Sequence, residues 1–345
     1  MSAGSVLVAM SGGVDSSVAA ALLLDAGWDV VGVTMKLWGG DSDTGCCSVS
    51  DVDDARRVAQ QLGIDHLVFN FGDDFAERVV GPYVAAHAAG RTPNPCVECN
   101  RHLKFDRLLR RAEQLGFDAV ATGHHARVST VSGHRWLARG RDRAKDQSYV
   151  VHVLPAGLLD RVLFPVGDLT KDEVRSRAAT LGLRTAGKPD SQDVCFITSA
   201  GGRAAFLGER IPLRPGRVVD TEGRAVARVS AVELVTVGQR RGLGLPGGGD
   251  PAYAVRVDVA GATVTVGPPE ALLTDIVELD DFVWSRGPIA GEVLAQCSAH
   301  GVPRPAVVDG CTVRWHRPER VVAPGQSVVL YDPTDTYVVG AGTAR

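Results

Sequence analysis

Val6-Leu7-Val8-Ala9-Met10-Ser11-Gly12-Gly13-Val14-Asp15-Ser16-Ser17 is the stretch that decides the fold. Val6 to Met10 form an apolar run too short for a helix, cut off by Ser-Gly-Gly, and read as a buried strand. Val18, Ala19, Leu22, Leu23 and Ala26 then recur at helical spacing. A strand, a Gly-rich turn and a helix in direct succession make an anion cradle. The glycines let backbone N–H groups approach closely, and the helix start adds unpaired N–H groups and a positive dipole end. Ser11, Ser16 and Ser17 add hydroxyl donors, and Asp15 would hold Mg²⁺ against the phosphates. The loop lacks the lysine of G-x-x-x-x-G-K-[ST], and that motif occurs nowhere in the chain, so this is not a Walker kinase or GTPase loop. The plain alternative is a ligand-free turn. Position, helix start and the acidic residue together favour the phosphate reading.

Outward from the loop, strands and helices alternate. Val30 to Met35, His66 to Phe69 and Ala119 to Thr122 read as further strands, and Asp51 to Leu62 as an amphipathic helix. That alternation predicts an α/β fold with a parallel sheet, on which ligands gather at the carboxyl ends of the strands. From about Arg210 the texture changes to short Val-rich runs separated by Gly and Pro: Arg217 to Val219, Ala254 to Val259, Thr263 to Val266, Thr312 to Trp315, Ser327 to Tyr331 and Tyr337 to Ala341. These predict small antiparallel β domains, one central and one C-terminal and barrel-like. The expected divisions are a catalytic domain over 1–205, a central β-rich domain over 206–275 and a C-terminal β-barrel-like domain over 276–345.

Composition narrows the function classes. The 345 residues are 45% hydrophobic and 22% charged, as in an ordinary globular protein. A net charge of −3 excludes a global attraction for nucleic acid, so any RNA-binding surface must be a local basic patch. No run approaches the ~20 apolar residues of a membrane span, and Met1 to Met10 lacks a secretory pattern. Seven cysteines, an odd number, do not read as a disulfide scaffold. A reducing cytoplasm is the expected location, with no membrane partner.

Two cysteine segments carry the remaining chemistry. Thr92-Pro93-Asn94-Pro95-Cys96-Val97-Glu98-Cys99-Asn100 places two thiols just before a helix with Phe105, Leu108, Leu109 and Ala112 on one face and Lys104, Arg107 and Arg111 on another. A helix start beside cations favours the thiolate. The third thiol is Cys195, within Asp190-Ser191-Gln192-Asp193-Val194-Cys195-Phe196-Ile197. The plain alternatives are half a zinc site for Cys96 and Cys99, for which no second ligand pair stands out, and a small buried hydrophobe for Cys195. Cys46, Cys47, Cys297 and Cys311 are left structural or unassigned.

The Ser11 to Ser17 loop resembles that of the N-type ATP pyrophosphatases. With Thr92 to Asn100, Thr122-Gly123-His124, Lys145-Asp146-Gln147-Ser148-Tyr149, Phe164-Pro165-Val166-Gly167, Asp190 to Ile197, Gly238 to Gly244 and Pro324 to Ser327, the chain resembles the tRNA-specific 2-thiouridylases nearly end to end. The resemblance implies ATP- and Mg²⁺-dependent thiolation of the wobble uridine in the tRNAs for Lys, Glu and Gln. Ala9, Met10, Ser11, Gly12, Gly13, Val14, Asp15, Ser16, Met35 and Gly123 would meet ATP. Asn94, Pro95, Cys96, His124, Lys145, Asp146, Gln147 and Gln326 would meet tRNA, with Asn94 to Cys96 near the target base. Arg240-Arg241 and the basic face of the 101–111 helix fit phosphate contacts. Adenylation of the uridine oxygen would make AMP the leaving group. Cys195 would carry a persulfide from a sulfur-donor protein, and Cys99 would release the sulfur by forming a disulfide with Cys195.

This chain departs from the family in two places. Many relatives hold an acidic residue where Cys96 stands, so Cys96, Cys99 and Cys195 offer an alternative, a three-thiolate iron–sulfur site that delivers sulfide. Cys297 to Arg304 replaces a basic loop of relatives. The rival functions are a small-molecule ligase with the same loop, which needs neither Cys99 nor Cys195, and a non-enzymatic RNA-binding or iron–sulfur protein with a vestigial loop.

Overall fold

The computed structural model describes residues 3–38, 49–190, 194–197 and 201–345. The chain divides into two units, one built from residues within 1–79, 95–198 and 334–339, the other from 80–94, 199–333 and 340–345.

The first unit holds a five-stranded parallel sheet of β1 (Ser5–Ala9), β2 (Asp29–Lys36), β3 (His66–Asn70), β4 (Ala119–Thr122) and β7 (Val162–Leu163), in the order β3-β2-β1-β4-β7. Central β1 is covered on both faces, which is why Val6, Leu7 and Val8 form an unbroken apolar run with no exposure. Helices α1 (Val14–Asp25) and α2 (Val49–Leu62) and the Lys171–Thr180 helix pack on the sheet through Val18, Ala19, Ala55, Val58, Val174 and Ala178. The chain runs outward from β1 through β2 to β3, then returns to place β4 on the other side of β1. That reversal opens a crevice at the carboxyl ends of β1 and β4, where such sheets bind ligands.

Between β4 and β7 the chain inserts an antiparallel hairpin, β5 (Ala126–Val131) and β6 (His134–Arg139), which the sequence reading did not anticipate. Its two-residue turn is Ser132-Gly133, both at positive φ (50° and 76°), the geometry that matches strand twist.

The second unit contains a four-stranded sheet of β8 (Gly216–Val219), β9 (Ala225–Val229), β10 (Tyr253–Asp258) and β11 (Thr263–Gly267), in the order β10-β11-β8-β9. The expected purely antiparallel pattern needs correction here, because β8 and β11 pair in parallel. The long connection from β9 to β10 carries the chain to the far edge, and the β10–β11 hairpin then returns beside β8 in the same direction. A closed six-stranded barrel follows, with β12 (Leu273–Trp284), β13 (Gly291–Gln296), β14 (Arg304–Asp309), β15 (Thr312–Arg320), β16 (Ser327–Tyr331) and β17 (Val338–Ala344).

Candidate active site

The loop after β1 lies in the crevice. Gly12 has φ +72°, and a Cβ there would fall inside contact distance of the Asp51 carbonyl oxygen at the start of α2, so only glycine fits. Gly13 caps α1 in extended geometry with no side-chain cap, so the first turn keeps its N–H groups for an anion. Gly123, just beyond β4, abuts the loop so closely that a Cβ would lie 2.5 Å from the Ser16 nitrogen. Ala9 pairs with Val33 on β2 and Thr122 on β4, so β1 ends at the mouth of the crevice. The buried side chains of Met10 and Val14 pack in the core, the Met10 N–H donates to the Val33 carbonyl and its carbonyl accepts from the Thr34 hydroxyl, each at 2.8 Å, and Met35 is 9% exposed on β2. All three serines are internally engaged: the Ser17 hydroxyl donates to the Gly13 carbonyl at 2.8 Å, the Ser16 hydroxyl accepts from the Ser11 N–H at 3.2 Å, and the Ser11 and Ser16 hydroxyls bond each other at 3.4 Å.

Two lysines from elsewhere in the chain bond the loop. Lys171, in the first turn of its helix behind a Thr170–Glu173 capping box, puts Nζ 2.8 and 2.7 Å from the two Asp15 carboxylate oxygens and 2.8 Å from Asp190 Oδ1. Lys188 donates to the Gly12 carbonyl at 3.1 Å and to Asp51 and Asp54 at 2.6 and 2.9 Å. The sequence reading did not single out either lysine, although both lie beside motifs it quoted.

The electrostatics follow from these contacts. Burial pushes the Asp15 carboxyl up, but hydrogen bonds from His125 and Lys171 outweigh it and hold the group below the ordinary range. Asp190 is likewise pushed up by burial, yet bonds from Lys171 and Lys145 hold it well below. The bond to Asp190, 2.9 Å long, raises Lys145. Burial lowers Lys188, but the bonds to Asp51 and Asp54 raise it further.

His125, which the sequence reading passed over, is buried and donates from Nε2 to Asp15 Oδ1 at 3.2 Å, because a carboxylate only accepts. Its backbone N–H donates to the Gln147 side chain at 2.9 Å, and its carbonyl accepts from the Gln147 N–H at 2.8 Å. His124 lies among Phe105 and Phe164, with Nε2 3.5 Å from Lys104 and Nδ1 2.7 Å from Thr122 Oγ1. Burial first and Lys104 second hold its pKa well below that of a free imidazole. An ammonium only donates, so Nε2 is the acceptor and Nδ1 carries the proton.

Of the positions expected to meet tRNA, Lys145 is exposed. Asp146 is not: its side chain is 5% exposed and accepts from Arg139, the Gly140 N–H and Ser148. The basic helix face is partly neutralised internally, Arg101 by Glu98 and Arg107 by Asp74, while Arg111 lies over the Phe69 ring. Asn94 and Gln326 belong to the second unit, where the Gln326 amide donates to the Thr92 carbonyl.

The helix expected after the cysteines instead begins at Pro95, so Cys96 and Cys99 lie inside it. Proline is suited to the first position, where its missing N–H is not needed. Cys96 is exposed and Cys99 buried at 8%. Asn100 donates to the Val150 carbonyl at 2.7 Å, which fixes the Cys99 segment to the turn after Gln147. Helix winding loosens to a π-helix over Asn100–Arg107, a feature that favours functional sites. Cys195 is half-buried in a turn held by Phe196, which is 3% exposed and packs on Phe75 and Trp38 at 5.6 and 6.2 Å. Among the described residues no three His, Cys, Asp or Glu side chains converge to hold a metal, so Cys96, Cys99 and Cys195 do not fit a cluster in this arrangement. Burial and then Glu319 push the Cys297 thiol up to about 12, which makes it a poor nucleophile. Cys46 and Cys47, and positions 191–193 of the Cys195 motif, lie outside the described residues. No helix among the described residues is long and apolar enough to cross a membrane.

Family comparisons cover these parts. Residues 4–199 match the tRNA methyl transferase HUP domain, 204–268 the tRNA methyl transferase PRC-barrel domain and 277–344 the aminomethyltransferase beta-barrel domain. The chain is 44% identical to the tRNA-specific 2-thiouridylase MnmA of Roseiflexus sp. (strain RS-1), over 99% of both chains. It is 48% identical to that of Mycobacteroides abscessus over 95% of both, and 47% identical to that of Rhodococcus jostii over 98% of this chain and 96% of the relative. Among solved structures, a 4-thiouridine synthetase–RNA complex with bound ATP is similar at TM-score 0.37 and 20% identity, over 56% of this chain and 45% of that one. The U34-tRNA thiolase NcsA of Methanococcus maripaludis with its [4Fe-4S] cluster is similar at TM-score 0.37 and 18% identity, over 60% and 63%. The domain descriptions mention methyl transfer, whereas the full-length relatives are named for thiolation, and a likeness running through all three regions carries more weight than a domain label. The chain belongs to the family of tRNA-specific 2-thiouridylases.

Proposed function

We propose that this chain uses ATP to replace the 2-oxygen of a tRNA wobble uridine with sulfur. The observation that carries the reading is a lysine-flanked phosphate loop at the sheet's reversal point, in a chain alike end to end to named 2-thiouridylases. Residues 9–16, Met35 and Gly123 hold ATP, and Asp15, kept ionised by its neighbours, is the residue that would hold Mg²⁺. The uridine oxygen attacks the α-phosphate and expels pyrophosphate. The terminal sulfur of a persulfide on Cys195 attacks the activated ring carbon, and AMP leaves. The Cys99 thiolate then attacks Sγ of Cys195, breaking the S–S bond and leaving the sulfur as a thiocarbonyl. The resulting Cys99–Cys195 disulfide is reopened by a thiol reductant.

A donor protein with its own persulfide supplies the sulfur, and the acceptors are the tRNAs for Lys, Glu and Gln. Asn94, Pro95, Cys96, His124, Lys145, Asp146, Gln147 and Gln326 line or shape the tRNA side, in the cytoplasm. Asp146, His124 and Gln326 act by positioning, given their internal bonds. The domains run over 1–205, 206–275 and 276–345.

The test is thiolation of unmodified tRNA by protein purified without oxygen, with iron and acid-labile sulfide measured on the same sample. Cys99→Ala and Cys195→Ala should each abolish thiolation, with activity retained in Cys96→Ala and independent of iron. Stoichiometric iron together with loss of activity in Cys96→Ala would replace the persulfide route with sulfide delivery from a cluster.

A further inference from the structure

On the solvent face of the β8–β11 sheet, two arginines stand directly opposite one another. Arg217 on β8 and Arg228 on edge strand β9 are register partners in an antiparallel pair. Both are exposed, while Val218 and Val229 beside them point into the core, so the two guanidinium groups share the outer face. Like charges directly opposite across a ladder are destabilising. No ion pair relieves them among the described residues. Carboxylates of the same domain have other partners: Asp220 and Glu222 bond Arg224 at 2.7 and 2.9 Å, buried Glu233 bonds Arg214 at 2.9 Å, and Asp258, on the far edge of the same row, accepts from the Gly261 N–H at 2.9 Å. Between Arg217 and Asp258 stands Thr263, a neutral hydrogen-bonding neighbour.

A second pair lies on the same small domain. Gly244 packs so tightly on β9 that a Cβ there would fall inside contact distance of the Arg228 carbonyl oxygen, whereas Gly238 and Gln239 bond to Ala254 on β10, the opposite edge of the sheet, and Leu243 is buried in the core. Arg240 and Arg241 are exposed on the 238–244 loop and also lack an ion pair among the described residues. The loop is braced: Gln239 accepts from the Thr236 N–H at 3.1 Å and donates to the Arg241 carbonyl at 2.7 Å. One small domain of a chain whose net charge is −3 therefore carries four exposed arginines without an ion pair among the described residues, two of them directly opposed.

We propose that Arg217 and Arg228 form a docking surface for the sugar–phosphate backbone of the tRNA substrate. Folding gains nothing from two opposed guanidinium groups, whereas a row of phosphates answers both. The patch contacts backbone and so adds affinity without reading bases. It rests on the thiolation reading for the identity of the polyanion.

The experiment measures binding of the full chain to an unmodified tRNA transcript across a salt series, in wild type, Arg217→Gln/Arg228→Gln and Arg217→Lys/Arg228→Lys. Each lost phosphate contact should lower the slope of log affinity against log salt by about 1, so the glutamine pair should lose about 2. The lysine pair should keep the wild-type slope, and the urea midpoint of the glutamine pair should be unchanged or raised. An unchanged slope in the glutamine pair overturns the docking surface and leaves the thiolation reading intact. A lowered midpoint overturns it in favour of a structural role. Loss of heparin affinity with tRNA affinity intact also overturns it. No tRNA binding by wild type would overturn both readings.

Discussion

Replacing Lys171 by Met removes the one ammonium group that bonds both Asp15 and Asp190. The methionine keeps most of the stem, so the change is mainly electrostatic. Asp190 retains Lys145 at 2.9 Å and Arg175 at 2.8 Å, but Asp15 is left with only His125 at 3.2 Å. Breaking a fully buried ion pair costs about 3–5 kcal/mol. Lys171 is 10% exposed, Asp15 29% and Asp190 25%, so water recovers part of that and the expected loss of stability is roughly 2 kcal/mol. The pH dependence has a definite sign. Both carboxyls are held below their unfolded values, so their contribution is complete above the unfolded pKa of about 3.9 and fades as pH falls below it. The gap between wild type and variant should therefore be full at neutral pH and narrow below about pH 4. If Lys171 also meets the phosphates, kcat/KM for ATP should fall by about 100-fold, as for other cationic clamps, with partial recovery in Lys171→Arg. Urea denaturation and tRNA-dependent pyrophosphate release measure the two effects. A midpoint within about 0.5 kcal/mol of wild type, with KM for ATP unchanged, would refute the reasoning.

Three further outcomes are expected. Gly12→Ala, forced to positive φ against the Asp51 carbonyl, should lose about 2 kcal/mol and nearly all ATP turnover, whereas Gly13→Ala, already extended at φ −92°, should cost under about 0.5 kcal/mol in denaturant titration. Phe196→Ala should cost about 3 kcal/mol and stop thiolation of tRNA while ATP consumption persists, since it loosens the turn that carries Cys195 and leaves the loop alone; equal loss of both activities would contradict that. His87 and His152 are each lowered to about 4, chiefly by burial, and His124 is lowered well below its ordinary value. A depressed histidine contributes full stability above the unfolded pKa of about 6.5 and loses it as pH falls. Near pH 5, His152 and His87 should therefore each cost their unit about 1.2 kcal/mol per pH unit, and His124 and His66 add to the loss in the unit with His152. Flat urea midpoints between pH 6 and 4.5 would contradict this.

Local sequence signals revealed the frame. The apolar run before Ser11-Gly12-Gly13 had to be a doubly covered strand, and the β4 stretch Ala119 to Thr122 reads the same way, so the parallel sheet and its crevice could be anticipated. The hairpin at Ser132-Gly133 carried a turn signal that was overlooked, because His134 and Arg135 interrupt the apolar alternation of β6. The parallel β8–β11 pairing had no local signature, since parallel and antiparallel strands share a period. Lys171 and Lys188 escaped for a related reason. Their roles depend on contacts 156 and 176 residues away along the chain, and a lysine after a helix cap looks the same from its neighbours whether it faces solvent or a carboxylate. Asp146 shows the converse, a motif residue whose burial against Arg139 gives it a structural task.

These long-range contacts explain why the cysteines can lie so far from the loop in sequence. Asp15 is bound by two residues, and each leads to one thiol. Through His125 it connects to Gln147, whose turn accepts the Asn100 amide beside Cys99. Through Lys171 it connects to Asp190, five residues before Cys195. The proposed adenylation and sulfur delivery require both reactants to be held against a common reference, because small errors in the approach of reacting atoms cost orders of magnitude in rate. A carboxylate at the phosphate loop, bonded on one side to an imidazole and on the other to an ammonium, supplies that reference. Lys171, from the Lys171–Thr180 helix, thereby ties the loop to Asp190.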